Sequence, residues 1–239
     1  MAKIEKLRGV ILSRRNVGEA DRLLRVLSQE EGLIRVLAKG VRKIPSRRGC
    51  HIEPFRQVLA LVAGSPGRYF LSVVETENYY HDLHKDRDAL FRISLLAELI
   101  VNVLGEGDPQ EDVFNAFGQA CEIMPGLNKE KRSMLEISVA LLVLNRAGLL
   151  PLLDRCRRCG EKQPKQAVVL ESREGGWYCL GCCSNLAQAA SSFSATGLRV
   201  LRFLSEKPSK SLLLNSEGYG EQLVKVVRKY IREQMYVRS

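Results

Sequence analysis

The chain has no long apolar run, few histidines and few aromatics, and none of the common catalytic signatures. Its most apolar stretch, residues 137–153, is interrupted by Asn145, Arg146, Gly148 and Pro151. It is too short and too broken to span a bilayer. The opening residues MAKIEKLRGV lack the apolar core of an export signal, so a cytoplasmic protein is expected. There is no G-x-x-x-x-G-K-[ST] or G-x-G-x-x-G loop, no H-E-x-x-H, and no H-x-E paired with P-C-x-x-C. The carboxylates do not gather in apolar surroundings that would tune a general acid. The three histidines, His51, His81 and His84, lie far in sequence from the cysteines, and surface or capping positions are expected for them. A non-enzymatic protein is the expectation. Aromatics make up 6% of the chain, which leaves little for base stacking. No internal repeat or low-complexity tract is present.

Basic charge, by contrast, is abundant. The 239 residues carry a formal charge of +10, which suggests a polyanionic partner. It is unevenly placed. Residues 1–50 hold thirteen Lys/Arg against five Asp/Glu, a net of +8, and residues 81–150 hold seven against eleven, a net of −4. The last nineteen residues hold five against two. Two basic ends flank an acidic middle.

Short segments rich in Val, Leu and Ile near 4–14, 20–28, 33–39, 54–63 and 68–76 read as strands, with turn residues between them. Five short strands without intervening helices suggest a small barrel or sandwich, of which OB-type and SH3-like barrels are examples. From about residue 82 the period becomes helical: Leu90, Ile93, Ala97, Ile100, Val101 and Leu104 recur on one side. Asp108, Pro109 and Glu111 read as the cap and first turn of a second helix burying Val113, Phe114, Phe117, Cys121 and Met124. A third helix, from about Lys129 to Arg146 and stopped at Gly148, is apolar nearly all round and is expected at the centre of its module. Ser194 or Thr196 is positioned to cap a helix running through Leu204. A last helix, from about Glu221 to Met235, has an apolar stripe opposite Lys225, Arg228, Lys229 and Arg232.

The strongest chemical signal is Cys156-Arg-Arg-Cys159 followed by Cys179-Leu-Gly-Cys182, a C-x2-C-x19-C-x2-C spacing. Two residues between cysteines make a tight knuckle that brings both sulfurs within about 2.3 Å of one metal. Gly160 and Gly181 stand where a knuckle needs unusual backbone angles. A hairpin of Ala167–Leu170 with Trp177–Cys179 would bring the pairs together. Four thiolates fill a tetrahedron, so one structural zinc ion with no open catalytic position is expected. Cys182 keeps the spacing and is preferred over Cys183 as the ligand; Cys50 and Cys121 are expected to be packing residues.

The second signal is a basic loop after the third strand. Lys39, Arg42, Lys43, Arg47 and Arg48 fall within ten residues, broken by Gly40 and Pro45. A flexible cationic loop at a barrel edge can track phosphates without choosing a sequence.

The layout resembles the bacterial recombination mediator family RecO. The resemblance rests on Asn16-Val-Gly18-Glu19-Ala-Asp21-Arg-Leu23-Leu24 and on the stretch from Glu30-Glu31-Gly32 through Lys39-Gly40-Val-Arg42-Lys43 to Ser46-Arg47. Pro54-Phe55, the four cysteines and Tyr230-Ile231 follow in the family's order, with Val41 standing where the family has a small residue. It implies an α+β multidomain protein, in which an N-terminal five-stranded OB-fold barrel is followed by an α-helical domain with a four-cysteine zinc element. The expected boundaries are 1–80 for the barrel, 81–150 for the first helical part, 151–185 for the zinc module and 186–239 for the C-terminal helices. It also implies binding of single- and double-stranded DNA, annealing of complementary strands, and partnership with RecR and the single-strand-binding protein in loading RecA. The cell nucleoid is its expected place. The first competing reading is a zinc-ribbon transcription or translation factor that binds nucleic acid without annealing it; the others are a nuclease or glycosylase with a structural zinc, and a protein-interaction scaffold whose basic loop binds an acidic tail.

Overall fold

A computed structural model describes residues 4–43, 46–65, 67–172, 174–183, 191–213 and 219–236. Strands β1 (Ile4–Val17), β2 (Asp21–Ser28), β3 (Gly32–Ala38), β4 (Gln57–Ser65) and β5 (Arg68–Asn78) close into a barrel in the order β1-β2-β3-β5-β4. All pairings are antiparallel except β3 with β5. This is the OB-type arrangement. The strands form because apolar residues alternate: Leu7, Ile11, Leu24, Val26, Ile34 and Val36 point inward and are buried. β1 is long enough to serve both edges. Its first half pairs with β4 and its second with β2, and a register shift between Ile11 and Ser13 bends it between the two. The interior retains a void of about 20 Å³, room for about one water. The barrel is therefore a filled core, and a macromolecular ligand must bind outside it.

Three helices complete this unit, α1 (His81–Lys85), α2 (Arg87–Val103) and α3 (Glu111–Ile123), of which α2 and α3 lie against β1 and α1 packs on both of them. Asp86 caps α2, its carboxylate accepting from the Ala89 N–H at 3.0 Å. The buried face of α2 is set by Ala89, Ile93, Leu96 and Ile100, while Leu90 and Val101 are half-buried. The second helix starts later than its capping pattern predicts. Gln110 occupies the cap position without a side-chain capping bond, its amide donating instead to the Asp108 carboxylate at 2.8 Å. The cause is tertiary. The Gly107 N–H donates to Leu33 O at 3.0 Å, drawing the segment along β3. The Asp108 carbonyl sits against Gly32, where a Cβ would lie 1.9 Å away.

Compactness divides the chain into Met1–Gly126 and Leu127–Ser239. The helical stretch 81–150, read from sequence as one part, is thus shared: α1–α3 belong to the barrel's unit, and the following helix nucleates the second unit. That helix, α4 (Lys129–Arg146), is capped by Asn128 and stopped at Gly148, whose φ is +68°. It is buried nearly all round, against α5 (Ala195–Glu206), α6 (Gly220–Tyr236) and the 3₁₀ segment Pro208–Leu213. Ser194 is the cap of α5, accepting from the Gly197 N–H at 3.1 Å. Buried Glu136 on α4 takes both forks of Arg228 on α6, at 2.6 and 2.9 Å. Part of the α6 basic face is therefore spent inside the unit. A three-stranded sheet, β6 (Val168–Glu171), β7 (Gly176–Cys179) and β8 (Ser191–Phe193), completes it in the order β7-β6-β8. Among the described residues no helix is long and apolar enough to cross a membrane.

Candidate metal centre and basic barrel face

The cysteine module is organised by the β6–β7 hairpin, in register from Val168↔Cys179 to Glu171↔Gly176. Cys179 ends β7, and a 3₁₀ turn, Leu180–Cys182, carries the chain to Cys182. The first knuckle is tied to β7 by the Arg157 N–H donating to Trp177 O at 3.0 Å. It closes through the Gly160 N–H on Cys156 O at 3.0 Å, with Gly160 at φ +76°. Gly181, expected to need a similar backbone, keeps out of the left-handed region. Behind the knuckles Trp177 is fully buried, and its indole N–H donates to Leu153 O at 3.0 Å. Arg202 of α5 lies over that ring at 5.6 Å and donates to the carbonyls of Lys162, Leu153 and Asp154. The helix thus fixes the loop that carries the first pair.

The sulfurs of Cys156, Cys159, Cys179 and Cys182 all lie within 4.8 Å of one another. Cys159 and Cys179 are 3.8 Å apart. A tetrahedron with metal–sulfur bonds of about 2.3 Å has edges of about 3.8 Å. The donor set and its spacing fit a thiophilic ion such as zinc. The electrostatics agree. Burial opposes ionisation of Cys156, but the N–H groups of Cys159, Cys179 and Arg158 outweigh it and bring the thiol down to about 6. Cys179 is pushed up to about 12, by burial first and then by the neighbouring sulfurs. Cys182 is pushed up to about 11, chiefly by its contact with Cys159. Ionisation is favoured at Cys156 and opposed at Cys179 and Cys182; a divalent cation would remove that opposition. Cys183 stands aside, buried, with its thiol on Leu180 O at 3.1 Å. Cys121 is buried on α3 and Cys50 is exposed.

On the barrel, the described part of the basic loop is fastened to its neighbours. Gly40, at φ +68°, donates to Asp21 Oδ1 at 2.8 Å, and the Arg42 N–H donates to Ala20 O at 3.0 Å. Val41 and Ile52 are buried in the barrel core, so the larger residue at 41 serves as a plug. Lys39, Arg42 and Lys43 are exposed; Lys39 Nζ sits 4.8 Å over the Phe70 ring, and Arg42 reaches Gly18 O at 3.2 Å. Arg48 is turned inward, donating to Leu71 O at 2.9 Å and Lys39 O at 2.8 Å. The Arg47 side chain lies outside the described ones.

Register adds cations that spacing did not reveal. Arg15, Leu23, Leu37 and Phe70 are successive cross-strand partners, so they share one outer face near Lys39. Arg25 and Arg35 are partners on that face, both held by Glu106. Around the barrel mouth Arg14 and Arg22 share Glu53. Arg14, Arg15, Arg22, Arg25 and Arg35 all fall within the strands, but the pairing that unites them is not a local property.

An OB-type barrel with a basic outer face, followed in the chain by a helical unit bearing a four-thiol cluster, defines a two-part, barrel-plus-helical class of protein. The chain belongs to the Recombination protein O family, RecO: its N-terminal family model matches residues 1–80 and its C-terminal model residues 84–238. Among relatives, the DNA repair protein RecO of Rubrobacter xylanophilus is 28% identical over 226 residues, 94% of this chain and 89% of its own. That of Alkaliphilus metalliredigens is 25% identical, covering 95% and 92%. That of Syntrophotalea carbinolica is 30% identical, covering 74% and 69%.

Proposed function

We propose that this protein acts in DNA repair and recombination by binding single- and double-stranded DNA on its barrel and annealing complementary strands. The reading is carried by one observation: Lys39, Arg42 and Lys43 stand exposed on a loop anchored by Gly40 and Val41 at the edge of an OB-type barrel. Annealing requires no covalent step. Two phosphate backbones must be neutralised while the bases stay free, and lysine and arginine do this by releasing counterions. Lys39, Arg42, Lys43 and Arg47 meet phosphate. Arg48 belongs to the same patch and also holds its shape through the two carbonyls it grips. Family membership and relatives named DNA repair protein RecO support the role.

Cys156, Cys159, Cys179 and Cys182 hold one structural zinc ion, which fixes the path of the chain beside α5 and takes no part in a reaction. In the cell the protein works in the cytoplasm at the nucleoid. There, with RecR, it helps load RecA on strands covered by the single-strand-binding protein. The test is annealing of complementary oligonucleotides coated with that protein. Wild-type chain should anneal them, and the variant with Ala at 39, 42, 43, 47 and 48 should not. A wild-type chain that binds oligonucleotides but never anneals them would favour a zinc-ribbon factor instead.

A further inference from the structure

Arg25 and Arg35 stand directly opposite each other on adjacent strands, an arrangement that like charges disfavour. One carboxylate resolves it. Glu106, on the loop after α2, accepts from Arg25 Nη1 through one oxygen, and from Arg35 Nε at 2.8 Å and Nη2 at 2.7 Å through the other. The loop is brought there independently of the side chains, by the bridge between Leu33 and Glu106 and the Gly107 N–H on Leu33 O. The arginines remain partly open to solvent, with side chains 30% and 45% exposed. They share the outer face of β2 and β3 with Leu23, Leu37 and the Lys39–Phe70 contact.

A carboxylate held by two guanidinium groups has the geometry that those groups offer a phosphate. From this we infer that Glu106 is a built-in competitor for the nucleic-acid backbone. It keeps Arg25 and Arg35 ordered in the free protein and yields them to a phosphate when a strand crosses the β2–β3 face. It is a positioning residue that sets how tightly and how reversibly the face holds DNA. The inference rests on the DNA-binding reading above. Reversibility suits an annealing protein, which must release the duplex it has formed.

The experiment is oligonucleotide binding across a salt series, by fluorescence anisotropy with a labelled single strand, on the full chain. Glu106→Gln removes the charge and keeps the size. It should bind about tenfold more tightly at low salt, with the log–log salt slope steeper by up to about 1.4, two contacts at about 0.7 each. Adding Arg25→Gln and Arg35→Gln should erase that gain. Glu106→Asp keeps net charge but draws the carboxylate one methylene away from the forks. It should still bind about threefold more tightly, a gain that bulk charge alone would not give. The aspartate variant also carries the test if the glutamine variant fails to show a wild-type melting transition. Wild-type affinity and slope in both Glu106 variants, or weaker binding, would overturn the inference. A wild-type chain with no salt-dependent binding would instead remove the reading beneath it.

Discussion

In the barrel every strand has two neighbours, and the space between them is filled by inward-pointing Leu, Ile and Val. In the cysteine module the strands are three or four residues long, and the second knuckle lies on a single 3₁₀ turn. Its local core is Trp177 with Val168, Leu170 and Phe193. The first region closes by register and apolar burial, which need no ligand. The second brings four sulfurs together, yet its own thiols repel further ionisation. Small elements with little core depend on a cross-link, and four clustered thiols are the donor set through which a metal could supply one. Chemistry and stability are thus divided: the barrel presents charge, and the module holds shape.

The sharpest way to break this comparison is to remove one of the four clustered thiols. Cys156→Ser should abolish stoichiometric zinc by elemental analysis. It should also cost the Leu127–Ser239 unit its cooperative melting transition, since such sites contribute about 10 kcal/mol or more. The barrel unit should still show its own transition. Ile11→Ala tests the other side. Ile11 is fully buried in the barrel, so denaturant titration should show a loss of about 3 kcal/mol, with zinc content unchanged.

The pH dependence of metal binding comes next in size. Cys179 and Cys182, held up to about 12 and about 11, are protonated in the metal-free protein near neutrality and must lose their protons on binding. Apparent zinc affinity should therefore rise with pH by at least about two log units per pH unit between about pH 7 and 9, measured by competition with a chelating dye. A flat profile would mean that these thiols are not ligands. Gly32→Ala makes the smallest change. The φ of +65° and a Cβ that would meet the Asp108 carbonyl at 1.9 Å should cost about 2 kcal/mol in the barrel unit and nothing in metal content.

Much of this division was legible in the sequence. The five strands, the span of α4 and the two knuckles follow from period, capping and spacing, all local signals. The start of α3 did not, because Asp108 and Pro109 carry a capping pattern that the tertiary contact with Gly32 and Leu33 overrides. The inward turn of Arg48 was equally hidden, since its carbonyl partners lie on Lys39, just after β3, and on Leu71, within β5. Arg25 and Arg35 lie ten positions apart, and only register makes them neighbours under Glu106. Compactness at Gly126 was likewise invisible, because α3 and α4 share a helical period and differ in what they pack against.

The account stands most directly on the salt dependence of oligonucleotide binding by Lys39→Ala/Arg42→Ala/Lys43→Ala beside the wild type. With zinc content and melting unchanged, the triple variant should lose affinity, and its log–log salt slope should flatten by about 2, three phosphate contacts at about 0.7 each. A triple variant that binds single strands with wild-type affinity and wild-type slope would contradict the claim that this loop is where the protein meets DNA.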